Sequence, residues 1–533
     1  MKKHLWIILL ALLPVLLAAQ SLNDGYMFPG DETWEDPVYP VTNTPKFGLA
    51  GILGTLMADG TAYTQLRIKP EMSIWKVGIG LDLDLLINGA GQLRQQDWDN
   101  WKDILGKVLY LRFADRSDSL YFKVGSIPDY TLGHGLIFDD YSNMLRYPDY
   151  RPLGGYVGAN TNSFGFGFEF YTHDISKNEV IAARASFEPL QILKLPLLKK
   201  LRLGLNVGAD RNPYGKYPDS DHDGYPDVYD KFPQDKKAWL DTDDDGVADN
   251  VDIDLNGNSI LDDPALNPYV NEVFPNIANI YPDYPFDTAV YPDSAARYVD
   301  NPSLWIYSLD YDLPLIKSGD FSLSNYAEFA VMEHYGSGLI FPGLAARVGI
   351  FDLKLEMRSF GARFLPSYFN NLYDEQRCQS VVTVSKEDGH RSYFLNTKQA
   401  LLAEVKPGLG WFGYLKGNIG RIGYLKVAYQ DLYGDELKHG KSLWGKLTIM
   451  PGRLPKLKEA SLYYAQTDVD KVDWKNLRCV NAEISSRLVY GYSDNLNLVL
   501  KYSEYYSDLN ADGLILGRDE VVEAVNFGVE FQL

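Results

Sequence analysis

The sequence predicts an all-β protein: a large antiparallel transmembrane β-barrel of about 16–20 strands, interrupted by an acidic calcium-binding loop insertion. Three observations predict it. Many segments alternate apolar and polar residues with period two, as a strand with one oily and one wet face requires. The connections between them are short at one end and long at the other. Past the first 19 residues no run of 18 uninterrupted apolar residues occurs, so a bilayer crossing by this chain uses strands rather than a helix.

Residues 1–19, M-K-K-H-L-W-I-I-L-L-A-L-L-P-V-L-L-A-A, have a basic start, an apolar run and small residues at Ala18 and Ala19. This is the layout of a secretory signal peptide, and 20–44 then form a periplasmic N-terminal segment. The first part of the barrel is expected over 45–210, with strands near 45–57, 61–70, 73–86, 106–115, 118–126, 152–160, 164–172, 179–189 and 198–210. V-G-I-G-L-D-L-D-L sets Val77, Ile79, Leu81, Leu83 and Leu85 against Gly78, Gly80, Asp82 and Asp84. F-G-F-G-F-E-F-Y likewise sets Phe164, Phe166, Phe168 and Phe170 against Gly165, Gly167, Glu169 and Tyr171. The second part, 303–533, is expected near 303–313, 321–332, 339–350, 353–363, 395–408, 414–432, 441–450, 456–467, 479–491, 495–507 and 520–533.

An even strand count puts both termini in the periplasm. Inner connections such as 69–72, 160–163, 451–455 and 493–495 stay within about eight residues, as periplasmic turns do. The outer set contains 87–105, 127–151, 211–302 and 364–394. A soluble sandwich also alternates, but has no reason to segregate its loops this way.

The insertion at 211–302 carries the acidity. From Asp219 to Asp263 there are 15 aspartates and 3 lysines, a charge of −12 out of −20 for the chain. Carboxylates at positions 1, 3 and 5 of a loop, a glycine at 6, a carbonyl at 7 and acids at 9 and 12 suit the oxygen shell of Ca²⁺. The first copy offers Asp219, Asp221, Asp223, the carbonyl of Tyr225, Asp227 and Asp230, with Gly224 at position 6. The second offers Asp241, Asp243, Asp245, the carbonyl of Val247, Asp249 and Asp252, with Gly246. A weaker third offers Asp254, Asn256, Asn258, the carbonyl of Ile260 and Asp262; Ser259 replaces the glycine and position 12 holds no acid. The alternative is a solvated acidic linker.

Three copies of D-x-[DN]-x-[DN] separated by 22 and then 13 residues resemble the thrombospondin type 3 repeat. That resemblance covers 219–263 and implies units with little apolar core that fold around calcium. The paired cysteines of such units are absent, because Cys378 and Cys479 lie elsewhere. The whole chain resembles a bacterial outer-membrane β-barrel protein, on its signal peptide, its alternating strands and the aromatic-rich end V-N-F-G-V-E-F-Q-L. The implied setting is the bacterial outer membrane with the cassette extracellular, and the implied partners are membrane lipid, calcium ions and polar solutes in the lumen.

Charged residues of both signs alternate with apolar neighbours at Asp82, Asp84, Glu169, Arg202, Glu328, Lys354, Glu356, Arg358, Glu483, Arg487 and Lys501, which suits a wet interior. The stretch G-S-I-P-D-Y-T-L-G-H-G-L-I-F, 125–138, stands out as a glycine-rich loop entry. His134 within it sits near Asp139 and Asp140, yet neither G-x-S-x-G nor H-E-x-x-H accompanies it, and no P-loop, dinucleotide fingerprint or C-x-x-C occurs. Catalysis and nucleic-acid binding are therefore not expected. The leading expectation is a porin-like channel with a calcium-stabilised surface loop; the alternatives are a barrel-anchored surface structural or adhesion protein, and a secreted soluble β protein binding calcium. A single disulfide between Cys378 and Cys479 is left open, with both cysteines expected at the outer end.

Overall fold

The computed structural model describes residues 42–532 except 59–60, 100, 145–151, 162, 193–196, 296, 298–302, 372, 386–389, 419–422, 435–436, 438–439, 450–455, 473–474, 480–481, 494–495, 507–514 and 516–520. The expected signal peptide and almost all of the expected periplasmic segment lie outside the described residues. Two compact units are present. One contains the barrel strands; the other joins Asp210–Leu304 to Tyr373–Ala403.

In chain order the first strands are β1 (Thr42–Ala58), β2 (Thr61–Trp75), β3 (Val77–Leu81), β4 (Leu83–Asn88), β5 (Val108–Phe113) and β6 (Leu120–Gly125). Next come β7 (Gly154–Asn160), β8 (Gly167–Thr172), β9 (Val180–Phe187), β10 (Arg202–Asp210), β11 (Ser294–Ala295) and β12 (Leu304–Ser318). They are followed by β13 (Phe321–Met332), β14 (Ser337–Val348), β15 (Phe351–Phe360), β16 (Cys378–Val384), β17 (Arg391–Thr397) and β18 (Gly408–Asn418). The last are β19 (Gly423–Tyr433), β20 (Lys441–Ile449), β21 (Leu457–Val469), β22 (Ala482–Gly491), β23 (Leu496–Tyr506) and β24 (Val521–Gln532).

All but β11, β16 and β17 belong to one 21-stranded sheet. Neighbours from β5 to β9, from β12 to β15 and from β18 to β24 pair antiparallel, as do β1 with β2 and β15 with β18, and β24 pairs with β1 from Ala50–Gln532 to Leu53–Val529, bringing the sheet's last strand back to its first. β3 and β4 both pair with β2 and form one strand broken at Asp82. There the backbone N–H donates to the Lys107 carbonyl (2.8 Å) and the carboxylate takes the Arg67 guanidinium (2.5 Å). The all-β class read from the sequence is the observed one.

Successive side chains point to opposite faces of a strand, so each stave separates its residues by chemistry. β15 exposes Leu353, Leu355 and Met357 outward and buries Glu356, Arg358 and Phe360 inward. Phe168, Leu309, Phe329, Leu409 and Leu462 continue the exposed apolar face around the barrel.

Two strand expectations fail, and they offset each other in the count. Residues 395–408 are not a barrel strand: 391–397 is β17 of the small sheet, and the Thr397 hydroxyl then caps a short helix, Lys398–Leu401, by accepting from the Ala400 N–H (3.1 Å). Residues 414–432 belong to two staves rather than one: β18 ends at Asn418 and β19 begins at Gly423, with apolar–polar alternation on both sides of the break. Phe164 leaves β8 for a short helical turn at a left-handed φ of 54°. The connection between β9 and β10 covers 188–201, longer than the expected limit of about eight residues, since both strands end early and Leu198–Lys200 forms a 3-10 turn. Loop segregation otherwise follows the expectation: 319–320 and 349–350 at one end, 89–107, 126–153, 211–303 and 361–407 at the other.

The second unit is organised by a small sheet and a few buried anchors. β16 pairs antiparallel with β17, and β11 lies parallel to β17. Asp210, fully buried, receives the Arg377 guanidinium (2.6 Å) and the Tyr373 hydroxyl. The Tyr229 hydroxyl donates to the Phe394 carbonyl (2.6 Å), and Arg391 pairs with Asp293 (2.7 Å). No disulfide joins the two cysteines: Cys378 opens β16, and Cys479, whose Sγ takes the Gln466 amide (2.9 Å), precedes β22, each in a long-connection segment. Burial pushes the Cys378 thiol up to about 12.

Candidate functional site

In the barrel unit the segment 126–144 turns onto the inward face. Gly125 makes the turn at φ 120°, where an added Cβ would lie 2.4 Å from the Leu109 carbonyl oxygen. Asn143 then ties the segment's two ends, accepting from the Ile127 N–H (2.7 Å) and donating to the Gly125 and His173 carbonyls (3.2 Å each). Tyr130 and Tyr141 exchange backbone hydrogen bonds and pack with Phe138 and Tyr171, all fully buried. Phe138 stacks on Phe369 at 4.2 Å, and the 136–139 backbone bonds to 367–369, so a second segment folds inward beside the first.

The tip of 126–144 is the Gly133-His134-Gly135 stretch. Glu328, fully buried on β13, accepts from the backbone N–H of His134 (2.9 Å) and of Leu136 (3.3 Å). The His134 ring stacks on Tyr326 at 4.2 Å, and its Nε2 lies 3.2 Å from the Tyr311 carbonyl oxygen. Gly133 has φ 63° and an added Cβ would meet the Glu328 carboxylate at 2.9 Å. The glycine-rich entry seen in the sequence is thus a docking surface for an inward-facing carboxylate. His134 serves as part of that dock.

The residues read as lumen-facing are brought onto this inner face. Asp84 accepts from Gln65 (2.9 Å), Glu169 takes Arg116 (3.0 Å), Arg202 reaches Glu188 (3.3 Å) and Arg487 pairs with Glu459 (2.8 Å). Arg358 bridges Glu356 (2.6 Å) and Gln430 (2.5 Å), Lys354 sits over the Tyr414 ring, and Lys501 stands directly opposite Arg487. Glu483 is buried. Sequence reasoning missed Asp310, which binds Arg184 (2.5 Å) and Asn206 (2.6 Å), and Lys426, which binds Asp140 of the inward segment (3.1 Å).

In the second unit three loops share one backbone geometry. The first-position carboxylate spans the turn: Asp219 Oδ2 accepts from Gly224 N–H (3.0 Å), Asp241 Oδ2 from Gly246 N–H (2.9 Å) and Asp254 Oδ2 from Ser259 N–H (2.6 Å). Positions 4 and 6 are left-handed in all three, at His222 and Gly224, Asp244 and Gly246, and Gly257 and Ser259. The third loop moves its glycine to position 4, so Ser259 at position 6 does not change the turn.

The carboxylates of Asp219, Asp221 and Asp223 bring oxygens within 4.8 Å of one another, as do those of Asp241, Asp243 and Asp245. Asp227 and Asp249, read as position-9 ligands, have both oxygens engaged by Ser220 and Thr242, through backbone N–H and hydroxyl at 2.7 Å. Position 12 supplies Asp230 and Asp252, both buried. Asp221, Asp223 and Asp230 each keep one buried carboxylate oxygen without a hydrogen-bond partner, and so does the fully buried Asp262. Such oxygens are costly unless protonated or given a cation. Burial and then the charges of Asp223, Asp221 and Asp227 push the Asp230 carboxyl up to about 6, against the Phe232 N–H bond that lowers it. Burial likewise raises Asp223, Asp243, Asp249 and Asp262. Hard oxygen donors converging at this spacing fit Ca²⁺.

No family model and no curated protein matches the chain. Among solved structures it is similar to a BenF-like porin from Pseudomonas fluorescens Pf-5, at 8% identity and TM-score 0.29, covering 93% of this chain and 100% of that one. It is also similar to Pseudomonas aeruginosa OccK2 (OpdF) in complex with glucuronate, at 9% identity and TM-score 0.29, covering 92% and 96%. The copper transporter OprC gives 10% identity and TM-score 0.32, covering 92% and 81%. TM-scores of this size do not establish a shared topology, so function is argued from the chain's own geometry.

Proposed function

We propose that the chain is a bacterial outer-membrane β-barrel, a porin-like channel for polar solutes, with a surface insertion stabilised by calcium. The observation that carries the reading is the inversion of the two faces. Large apolar side chains such as Leu309, Phe329 and Leu355 are exposed on the outside of the barrel, while Asp82, Glu328, Glu356 and Arg358 are buried on the inside. A water-soluble protein places them the other way, whereas a barrel facing lipid around a wet interior needs this arrangement. Long connections at one end then lie outside the cell, with both termini in the periplasm.

The inward segment 126–144 narrows such a lumen, and Asp140, Lys426, Arg358 and Lys354 supply charges of both signs for selecting solutes. In the insertion, Asp219, Asp221, Asp223 and Asp230 would hold one ion and Asp241, Asp243, Asp245 and Asp252 a second, with the Tyr225 and Val247 carbonyls completing each shell. What supports this is the set of orphaned, buried carboxylate oxygens in the first loop and the shared geometry of the second. Affinities of about 10⁻⁴ to 10⁻³ M are enough outside the cell.

The test is reconstitution of the full chain into planar bilayers with single-channel recording. Discrete conductance steps are expected. A chain that stays monomeric in buffer without detergent and passes no current would overturn the reading.

A further inference from the structure

Neighbouring antiparallel strands need only a two-residue turn, and the short-connection end has such turns at 319–320 and 349–350. The 188–201 connection at that same end is far longer, and its composition is unlike the rest of the chain. From Pro189 to Leu201 it has seven leucines or isoleucines, three lysines and no acid, in a protein whose net charge is −20. Glu188, the acid at its entry, is taken by Arg202 at its exit (3.3 Å). Ile192, Leu197 and Leu198 are exposed (74%, 42% and 38%), and so are Lys199 and Lys200 of the 3-10 turn. The patch extends to the adjacent short connection: the Glu188 N–H donates to the Phe164 carbonyl (2.6 Å), and Phe164 and Phe166 are each 47% exposed. Phe164 displays its ring from a left-handed φ of 54°, a conformation that is costly for a bulky residue.

We propose that this patch docks on anionic phospholipid at the periplasmic side of the membrane, with Phe164, Phe166, Ile192, Leu197 and Leu198 entering the acyl boundary and Lys199 and Lys200 meeting the phosphates. The inference rests on the outer-membrane reading and adds to it a lipid that the barrel recognises. Two observations choose lipid as the occupant. The patch is continuous with the outward wall, because β8 and β10, which follow the two connections, carry Phe168 and Leu205 on that wall (45% and 52% exposed). Its charge is also the complement of a phosphate surface. Lysines beside exposed leucines are what an interfacial segment presents to headgroups and acyl chains, whereas five large apolar side chains gathered at one end of a barrel cost solubility in water.

The full chain is folded into phosphatidylcholine vesicles with and without phosphatidylglycerol, and heat-modifiable mobility scores the barrel separately from the patch. An environment-sensitive fluorophore is attached through Leu198→Cys in a Cys479→Ser background, Cys378 being buried. With phosphatidylglycerol its emission is expected to shift to the blue and to be quenched by lipids brominated on the acyl chain, and added salt should weaken both effects. Each lysine at an anionic surface is worth about a fivefold change in the docked-to-free ratio. Lys199→Gln with Lys200→Gln should therefore return the emission toward its value without phosphatidylglycerol, and Lys199→Arg with Lys200→Arg should keep the shift. A heat-modifiable barrel whose label stays in water with phosphatidylglycerol, or is quenched equally in the glutamine variants, overturns the lipid dock and leaves the barrel reading standing. A label shielded only when periplasmic extract is added, whatever the lipid, overturns it in favour of a protein partner. A chain that gains no heat-modifiable mobility in any vesicle sinks the outer-membrane reading and the dock with it.

Discussion

The Asp287 carboxylate lies 2.5 Å from the side-chain amide nitrogen of Asn258. The same oxygen accepts from Asn256 at 2.6 Å, and backbone bonds from Asp287 N–H to the Leu261 carbonyl (2.9 Å) and from Asp263 N–H to the Asp287 carbonyl (2.8 Å) hold it alongside the third loop. In Asp223 one oxygen accepts from Tyr225 N–H and the other, orphaned, faces the cluster. Asn258 Oδ1 accepts from Ile260 N–H in the same way (2.8 Å), so the atom facing the loop centre is its NH₂ group. Two amide donors and an acid from elsewhere in the chain thus fill the third loop's centre, where the first loop presents bare oxygens and the second a cluster of carboxylates.

The insertion is therefore expected to bind two calcium ions rather than three. The Ala289 N–H and then the Asn256 amide hold the Asp287 carboxyl below the ordinary range, so it stays ionised and keeps its place at neutral pH. Calorimetric titration of the full chain should give a stoichiometry near two. Replacing Asn256 and Asn258 by Asp together with Asp287→Ala should add a third site. Three ions in the wild-type chain would show that Asp287 joins a metal shell instead.

In the proposed sites calcium and protons would compete for the same oxygens, which fixes the sign of the expected pH dependence. Asp230 titrates at about 6 in the folded, metal-free insertion, above the ordinary carboxylate value. A raised carboxyl contributes stability that is present at low pH and is lost as pH rises through 6. With chelator, the 211–302 segment should resist protease better at pH 5 than at pH 7.5. With millimolar calcium the order should reverse, because the ion replaces the proton. Asp223→Ala and Asp245→Ala should abolish the calcium-dependent protection. Protection that ignores both pH and calcium would mean a solvated acidic linker.

Gly133 is a position where the inward segment leaves no room for a side chain beside Glu328. Valine there needs a left-handed φ of 63° and a Cβ only 2.9 Å from the carboxylate, at a cost of about 1–3 kcal/mol. Gly133→Val should loosen the dock, raising single-channel conductance while the barrel still shows heat-modifiable mobility. Unchanged conductance would mean the segment does not narrow the pore.

What could be read from the sequence was what depends on neighbours in the chain. Alternation gave the staves because facing is decided every second residue, and the aspartate spacing gave the two carboxylate clusters because each cluster's members lie within five positions. The Arg184–Asp310 pair was invisible, since it joins β9 to β12 and exists only once those strands lie in one sheet. Asp287 was missed for the same reason: nothing near it resembles a loop, and its partners precede it by about thirty residues. The false strand at 395–408 arose where a helix cap, rather than hydrophobic period, decides the structure, and the merged pair at 414–432 arose because the alternation of β18 resumes in β19. Gly133-His134-Gly135 lies between these cases; the glycines announced a close approach, but the carboxylate they approach is on β13.

Lys354 and Leu355 are adjacent on β15 and point to opposite faces, which makes them a direct test of the membrane reading. Leu355 is 54% exposed on the outside; Lys354 is on the inside over Tyr414. Arginine on the lipid face near mid-bilayer costs about 2–4 kcal/mol, whereas a lumen position tolerates polarity changes with little effect on folding. Leu355→Arg should therefore lower the yield of folded, heat-modifiable barrel in phospholipid vesicles, and Lys354→Gln should leave it near wild type. The difference should shrink when folding is measured in detergent micelles, which deform around a charge more readily than a bilayer does. If Leu355→Arg folds into vesicles as well as Lys354→Gln does, the outward face does not meet lipid, and the apolar side chains displayed there must be covered by something else.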